Sequence, residues 1–141
     1  MTDGERRREV AGPVLDSFAL LAFLFKEKGH QKVVDAFDQA AESDDATLIA
    51  SPNWAEVRYI IQRKVGMERW SEVRSAILAL PIQVVAADQM LAEAAGALKA
   101  AKKMSLADCF AAALAQQKQA AVYTGDPEFK AVAKEVKVVW L

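Results

Sequence analysis

Cysteine and histidine are almost absent from this chain: Cys109 and His30 are the single examples of each. One cysteine forms no internal disulfide, so the fold must be held by its core, and Cys109 reads as a small core residue. A lone histidine after Gly29, with no second His or Cys beside it, argues against a zinc site and reads as a surface residue at a helix start. No run of 18 apolar residues and no charged-then-apolar leader appears, so neither a membrane span nor an export signal is expected, and a reducing cytoplasmic setting fits. Excess positive charge is missing too. With 18 Lys and Arg against 19 Asp and Glu the formal charge is −1, hardly the profile of a protein that grips nucleic acid by its backbone. There is no internal repeat and no low-complexity segment.

What is present suits one soluble globular domain: 141 residues, 53% hydrophobic and 26% charged, enough to bury a proper core. Residues 1–12, MTDGERRREVAG, are polar and without apolar periodicity, and read as a loose leader whose Arg6-Arg7-Arg8 run is a solvated terminus. From residue 13 to 141, short apolar runs alternate with helical patterns. Strands are predicted at Pro13 to Leu15, Thr47 to Ala50, Ile82 to Ala86, Ala121 to Thr124 and Val136 to Trp140. Helices are predicted over Phe18 to Lys26, His30 to Glu42, Trp54 to Lys64, Glu68 to Leu80, Asp88 to Lys103 and from Ser105 to about Gln119, with a short one from Pro127 to Lys134. This alternation predicts an α/β fold, a three-layer α/β/α sandwich around a mostly parallel sheet.

The stretch Met104 to Phe129 is the most informative. Leu106, Ala107, Cys109, Phe110 and the run Ala111 to Ala115 make a helix apolar almost all round, which must be buried, and Asp108 near its start must be buried with it. Three further acids follow strands: Asp16, Glu56 and Asp126. Each has two readings. Asp108 lies three after Ser105 and Glu56 three after Asn53, the spacing of a capping box; Asp16 or Ser17 can cap the next helix, as can Asp126 before Pro127. The alternative is convergence, since ligands of an open parallel sheet bind beyond the carboxyl ends of its strands. Several ionised carboxylates buried together cost many kcal/mol unless something positive lies between them, which points to a divalent cation. Asp88 also follows a strand, but precedes a polar-faced helix and reads as an N-cap.

Taken in order, Val14-Leu15-Asp16-Ser17, Ser51-Pro52-Asn53-Trp54-Ala55-Glu56, Ser105-Leu106-Ala107-Asp108 and Thr124-Gly125-Asp126-Pro127-Glu128-Phe129 resemble the PIN-domain ribonucleases, and among them the VapC toxins of bacterial toxin–antitoxin pairs. The resemblance covers nearly everything from Pro13 to Leu141. It implies that Asp16, Glu56, Asp108 and Asp126 are the catalytic, metal-binding acids, with Ser17 and Thr124 as polar support. Phe18 departs from the pattern, which more often has a small polar residue there.

The resemblance further implies cleavage of single-stranded RNA with Mg²⁺ or Mn²⁺. One ion would activate a water, and a second, about 4 Å away, would stabilise the leaving oxygen of an in-line displacement. Products with 5′-phosphate and 3′-hydroxyl ends are expected, with no histidine base. Two divalent ions would bring the formal −1 to +3. Implied partners are the RNA substrate, a cognate antitoxin whose tail lies in the catalytic groove, and a second copy in a homodimer; the apolar faces of Trp54 to Leu80 suit such contacts. Two rival readings stand beside this one. The first is a silent PIN-like module that binds RNA or protein without cutting. The second is a phosphoacceptor or phosphatase-like α/β domain, disfavoured because Phe18 stands where a dehalogenase-type phosphatase needs a second acid. Arg58, Arg63, Lys64, Arg69 and Arg74 form the most basic surface. Arg63, seven after Glu56 and so on nearly the same helical face, is the candidate RNA contact: Arg63→Ala is expected to weaken RNA affinity, and an unchanged affinity removes the assignment.

Overall fold

The computed structural model describes residues 12–141; the Arg6-Arg7-Arg8 run and the leader up to residue 11 lie outside the described residues. Five short strands form one parallel sheet: β1 (Val14–Leu15), β2 (Thr47–Ala50), β3 (Ile82–Val85), β4 (Val122–Thr124) and β5 (Val138–Trp140), in the order β3-β2-β1-β4-β5. Among the described residues six α-helices supply most of the crossings: α1 (Ser17–Leu24), α2 (His30–Ser43), α3 (Ser51–Val65), α4 (Met67–Leu78), α5 (Gln89–Ala101) and α6 (Leu106–Lys118). A 3₁₀ helix, Pro127–Val132, leads from β4 towards β5.

Both faces of the sheet are covered, which is why its strands read as unbroken apolar runs. Successive side chains of a strand point to opposite faces. Accordingly Val14 and Leu48 join the core built with Leu91, Ala95 and the alanines of α6, while Leu15 and Ile49 join Leu20, Val33, Phe37, Val57 and Ile61 on the other side. The result is the expected three-layer α/β/α sandwich. Trp70 is buried, with its ring 5.5 Å from that of half-buried Trp54, so Trp70 belongs to the core rather than to a free surface.

Two features of the chain place the functional edge. Connections run outward from β1 to β2 to β3, then jump back across β1 to β4 and outward to β5. The order therefore reverses between β1 and β4, the position at which an open parallel sheet offers a crevice beyond its strand ends. Asp16 leaves the end of β1 and Asp126 follows the end of β4, so the two flank that crevice.

Helix starts are mostly where the capping residues predict them. Asp88 Oδ1 accepts the Leu91 N–H at 2.8 Å, and Gly66, at φ 92°, separates α3 from α4. The start of α3 differs from expectation. Asn53 does not open it; the helix begins at Ser51, with Pro52 in its first turn supplying a pre-set φ. The Ser51 hydroxyl is turned to the Ala87 N–H at 3.0 Å, and Asn53 is carried inside the first turn and buried. Among the described residues no helix is long and apolar enough to cross a membrane.

Phe129 is the largest fully buried side chain and anchors the 3₁₀ helix into the α5–α6 core. Truncation should be costly: Phe129→Ala is expected to lose about 3–5 kcal/mol in urea unfolding. A loss under about 1 kcal/mol would show that this segment is not part of the cooperative core.

Candidate metal centre

Asp16 ends β1 and caps α1. Its Oδ1 accepts the Ala19 N–H at 2.8 Å, whereas Oδ2 is buried with no hydrogen-bond partner. Capping thus occupies one oxygen and leaves the other directed into the protein. Asp126 is arranged similarly. Its Oδ1 accepts the Glu128 N–H at 2.9 Å, and its own N–H donates to Thr124 Oγ1 at 3.0 Å, tying the loop to the end of β4.

Asp108 sits at the third position of α6, where a capping box would turn its carboxylate back on Ser105. Only half of that box forms within the helix: Ser105 Oγ accepts the Asp108 N–H at 3.2 Å. The Ser105 N–H donates instead to Glu128 Oε1, at 3.0 Å, across from the 3₁₀ helix. Glu128 therefore completes the cap in place of the Asp108 carboxylate. Asp108 Oδ2 is buried without a partner, in a helix whose residues from Cys109 and from Ala111 to Ala115 are all buried.

Glu56 lies on the second turn of α3, and Ser17 Oγ donates to its Oε1 at 2.9 Å, which fixes α3 against the start of α1. Three turns of different elements are thereby drawn to one edge. Asp108, Asp126 and Glu128 each place an oxygen within 4.8 Å of the others. Asp16 adjoins them, since its carboxyl feels the charges of Asp126 and Glu56 and Asp108 feels those of Asp126 and Asp16. The four acids singled out from the sequence thus share one neighbourhood, but the tightest triad contains Glu128 and not Asp16 or Glu56. Glu128 was legible only as an acid in a first helical turn, two after Asp126. Asn53, whose spacing to Glu56 also suits a capping box, is fully buried; its Nδ2 donates to the Ala107 carbonyl at 3.1 Å and ties α3 to the residue before Asp108. Arg63 is exposed, with its guanidinium 4.9 Å from the Tyr59 ring. It stands about 10 Å along α3 from Glu56. Arg58 and Lys64 likewise lie over Trp70 and Phe25, at 5.1 and 4.1 Å.

The electrostatics of the cluster are unfavourable as it stands. Burial raises the Asp16 carboxyl from the ordinary 3.8 to about 7, with the charges of Asp126 and Glu56 adding to it and the Thr124 hydroxyl and Ala19 N–H opposing it. Asp108 rises to about 8, first from burial, then from a hydrogen bond with the Glu128 carboxyl and from the charges of Asp126 and Asp16. Among the described residues the only ion pair within 4 Å is Lys102–Glu135, outside this cluster, so no described Lys or Arg pairs with these acids. Converging carboxylate oxygens, two of them buried without partners, are the donor set of a hard divalent cation such as Mg²⁺ or Mn²⁺. The residues fit such an ion.

The PIN domain family model matches residues 14–135. Among solved structures, a toxin–antitoxin complex from Klebsiella pneumoniae is similar at 24% identity and a TM-score of 0.63, over 90% of this chain and 95% of that one. DNA-bound VapBC from Salmonella typhimurium gives 17% identity and a TM-score of 0.72, over 92% and 97%. A VapC toxin from Mycobacterium tuberculosis, described as cleaving the sarcin–ricin loop, gives 17% identity and a TM-score of 0.63, over 91% and 98%. At these identities the likeness is one of fold. No curated protein matches the chain.

The raised acids link stability to pH. Asp108 titrates near 3.8 when unfolded and about 8 when folded, so its proton stabilises the fold fully below about pH 4 and that contribution is lost as pH climbs to about 8. Asp108→Asn lacks this loss. Without metal, the variant is expected to gain stability over the native chain between pH 5 and pH 8 in thermal melts, and added Mn²⁺ should stabilise the native chain alone. A difference independent of pH would contradict the crowding of these charges.

Proposed function

This chain belongs to the PIN-domain family, and from that premise we propose that it is a metal-dependent endoribonuclease that cleaves single-stranded RNA as the toxin of a toxin–antitoxin pair. One observation carries the reading: Asp108, Asp126 and Glu128 bring their oxygens within 4.8 Å of one another, and Asp16 and Asp108 each hold a buried oxygen without a hydrogen-bond partner. Such an arrangement destabilises the chain by itself, so its use lies in what it binds.

The residues assigned to the ion are Asp16, Glu56, Asp108 and Asp126, with Glu128 added by its place in the triad. A divalent ion bound there supplies Lewis-acid activation of water and neutralises charge on a phosphodiester. The protein's own part is positioning. Ser17 holds Glu56, Thr124 holds the Asp126 backbone, Glu128 closes the Ser105 cap beside Asp108, and Asn53 locks the turn that carries Asp108. The buried side of the cluster excludes bulk water, which strengthens every charge interaction within it. Substrate then approaches from the open side, where Asp126 is half-buried and Glu128 exposed.

A toxin–antitoxin complex is among the similar structures, which supports a cognate antitoxin as a partner. A homodimer and a cytoplasmic setting complete the proposal, the latter in keeping with the free, buried Cys109. The family match gives the phosphoacceptor alternative no support.

Asp108→Asn tests the central role. Cleavage of a single-stranded RNA in Mg²⁺ or Mn²⁺ is expected to fall at least about 100-fold, with the circular dichroism of the fold retained. Full activity in this variant would return Asp108 to a capping role, and a native chain that binds such RNA without cutting it would leave a silent binding module.

A further inference from the structure

Phe18 stands out from its helix. Its neighbours Ala19 and Leu20 are fully buried, but Phe18 is 44% exposed, an apolar ring left in solvent beside the most acidic part of the molecule. Its position is set by the site. It follows Asp16 and Ser17 in the first turn of α1, and the ring lies over Gly125, between Thr124 and Asp126. A methyl group on Gly125 would meet Phe18 Cε1 at 2.3 Å and Cζ at 2.6 Å, so the ring packs against a backbone that has no side chain. Among the described residues no aromatic ring and no cation stacks on Phe18; the exposed Tyr59, by contrast, is covered by Arg63.

We propose that Phe18 is a stacking platform for a nucleobase of the single-stranded substrate, adjoining the scissile phosphate. This rests on the nuclease reading above and deepens it by naming a substrate contact. A phosphate drawn to cations at the acids places the base of an adjacent nucleotide within one nucleotide's length of a ring that follows Asp16 by two residues and packs on Gly125, next to Asp126. Every base has a π-face, so the contact serves affinity without demanding one sequence. It also meets the electrostatic difficulty of a chain with a net charge of −1, which lacks a general excess of basic residues to hold RNA. Stacking is indifferent to that deficit. Phe18 is not catalytic in this scheme; it holds the strand.

The test is equilibrium binding of a short mixed-sequence single-stranded RNA, measured by fluorescence anisotropy in Ca²⁺ to limit cleavage, beside the same strand carrying abasic sites. Phe18→Ala is expected to weaken the intact strand about 10-fold, within the range of one stacked base. Phe18→Trp should restore it, and the abasic strand should bind native and Phe18→Ala chains alike. Gly125→Ala, which displaces the ring, should weaken the intact strand as Phe18→Ala does. Mn²⁺ affinity, followed by calorimetry, should be unchanged in the Phe18 variants. Equal RNA affinity of native and Phe18→Ala chains overturns the proposal, as does an equal loss on the abasic strand or a parallel loss of Mn²⁺ affinity. A variant that keeps RNA but loses a cognate antitoxin would make the ring a protein contact and overturn it also. The nuclease reading stands or falls separately, on Asp108→Asn.

Discussion

Repulsion among carboxylates gathered at the strand ends is the constraint around which this structure is arranged. Asp16 is fully buried and Asp108 nearly so, each with an oxygen that no donor meets. Their charges are mutually unfavourable, and burial makes them more so. An apolar core does not need such groups, and replacing them with neutral ones would relieve the fold. Their presence at the crevice between β1 and β4, where strand order reverses, is therefore a property of the site and not of the core.

Capping and ligation are not exclusive at this edge. A carboxylate has two oxygens, and Asp16 and Asp126 each use one to satisfy a backbone N–H while the other remains available. The cap fixes the rotamer, so the free oxygen is aimed before anything binds. Asp108 reaches the same end differently, because Glu128 takes over the backbone bond that Asp108 would otherwise make. The helix N-termini also lend partial positive charge to these acids. That is insufficient for Asp108, whose carboxyl still lies near 8.

Much of this was legible beforehand. Alternating apolar runs and helical patterns revealed the layered parallel sheet, because strands buried on both faces have no polar alternation to obscure them. Asp16, Glu56, Asp108 and Asp126 were legible because each interrupts or ends an apolar segment. Glu128 was not, since an exposed acid in a first helical turn is what any solvated helix shows, and only the fold brings it across to Ser105. The role of Asn53 was hidden for a related reason: its spacing to Glu56 also suits a capping box, while its actual partner, the Ala107 carbonyl, lies 54 residues on. The packing of Arg58, Arg63 and Lys64 onto aromatic rings was likewise hidden, because charge count says nothing of where a guanidinium rests.

The most direct measurement is anomalous diffraction from crystals soaked in Mn²⁺ at neutral pH. A peak within about 2.0–2.6 Å of carboxylate oxygens of Asp108 and Asp126, with Asp16 Oδ2 turned towards it, is the result expected. Crystals that take up no Mn²⁺ there would contradict a cation as the reason for their crowding.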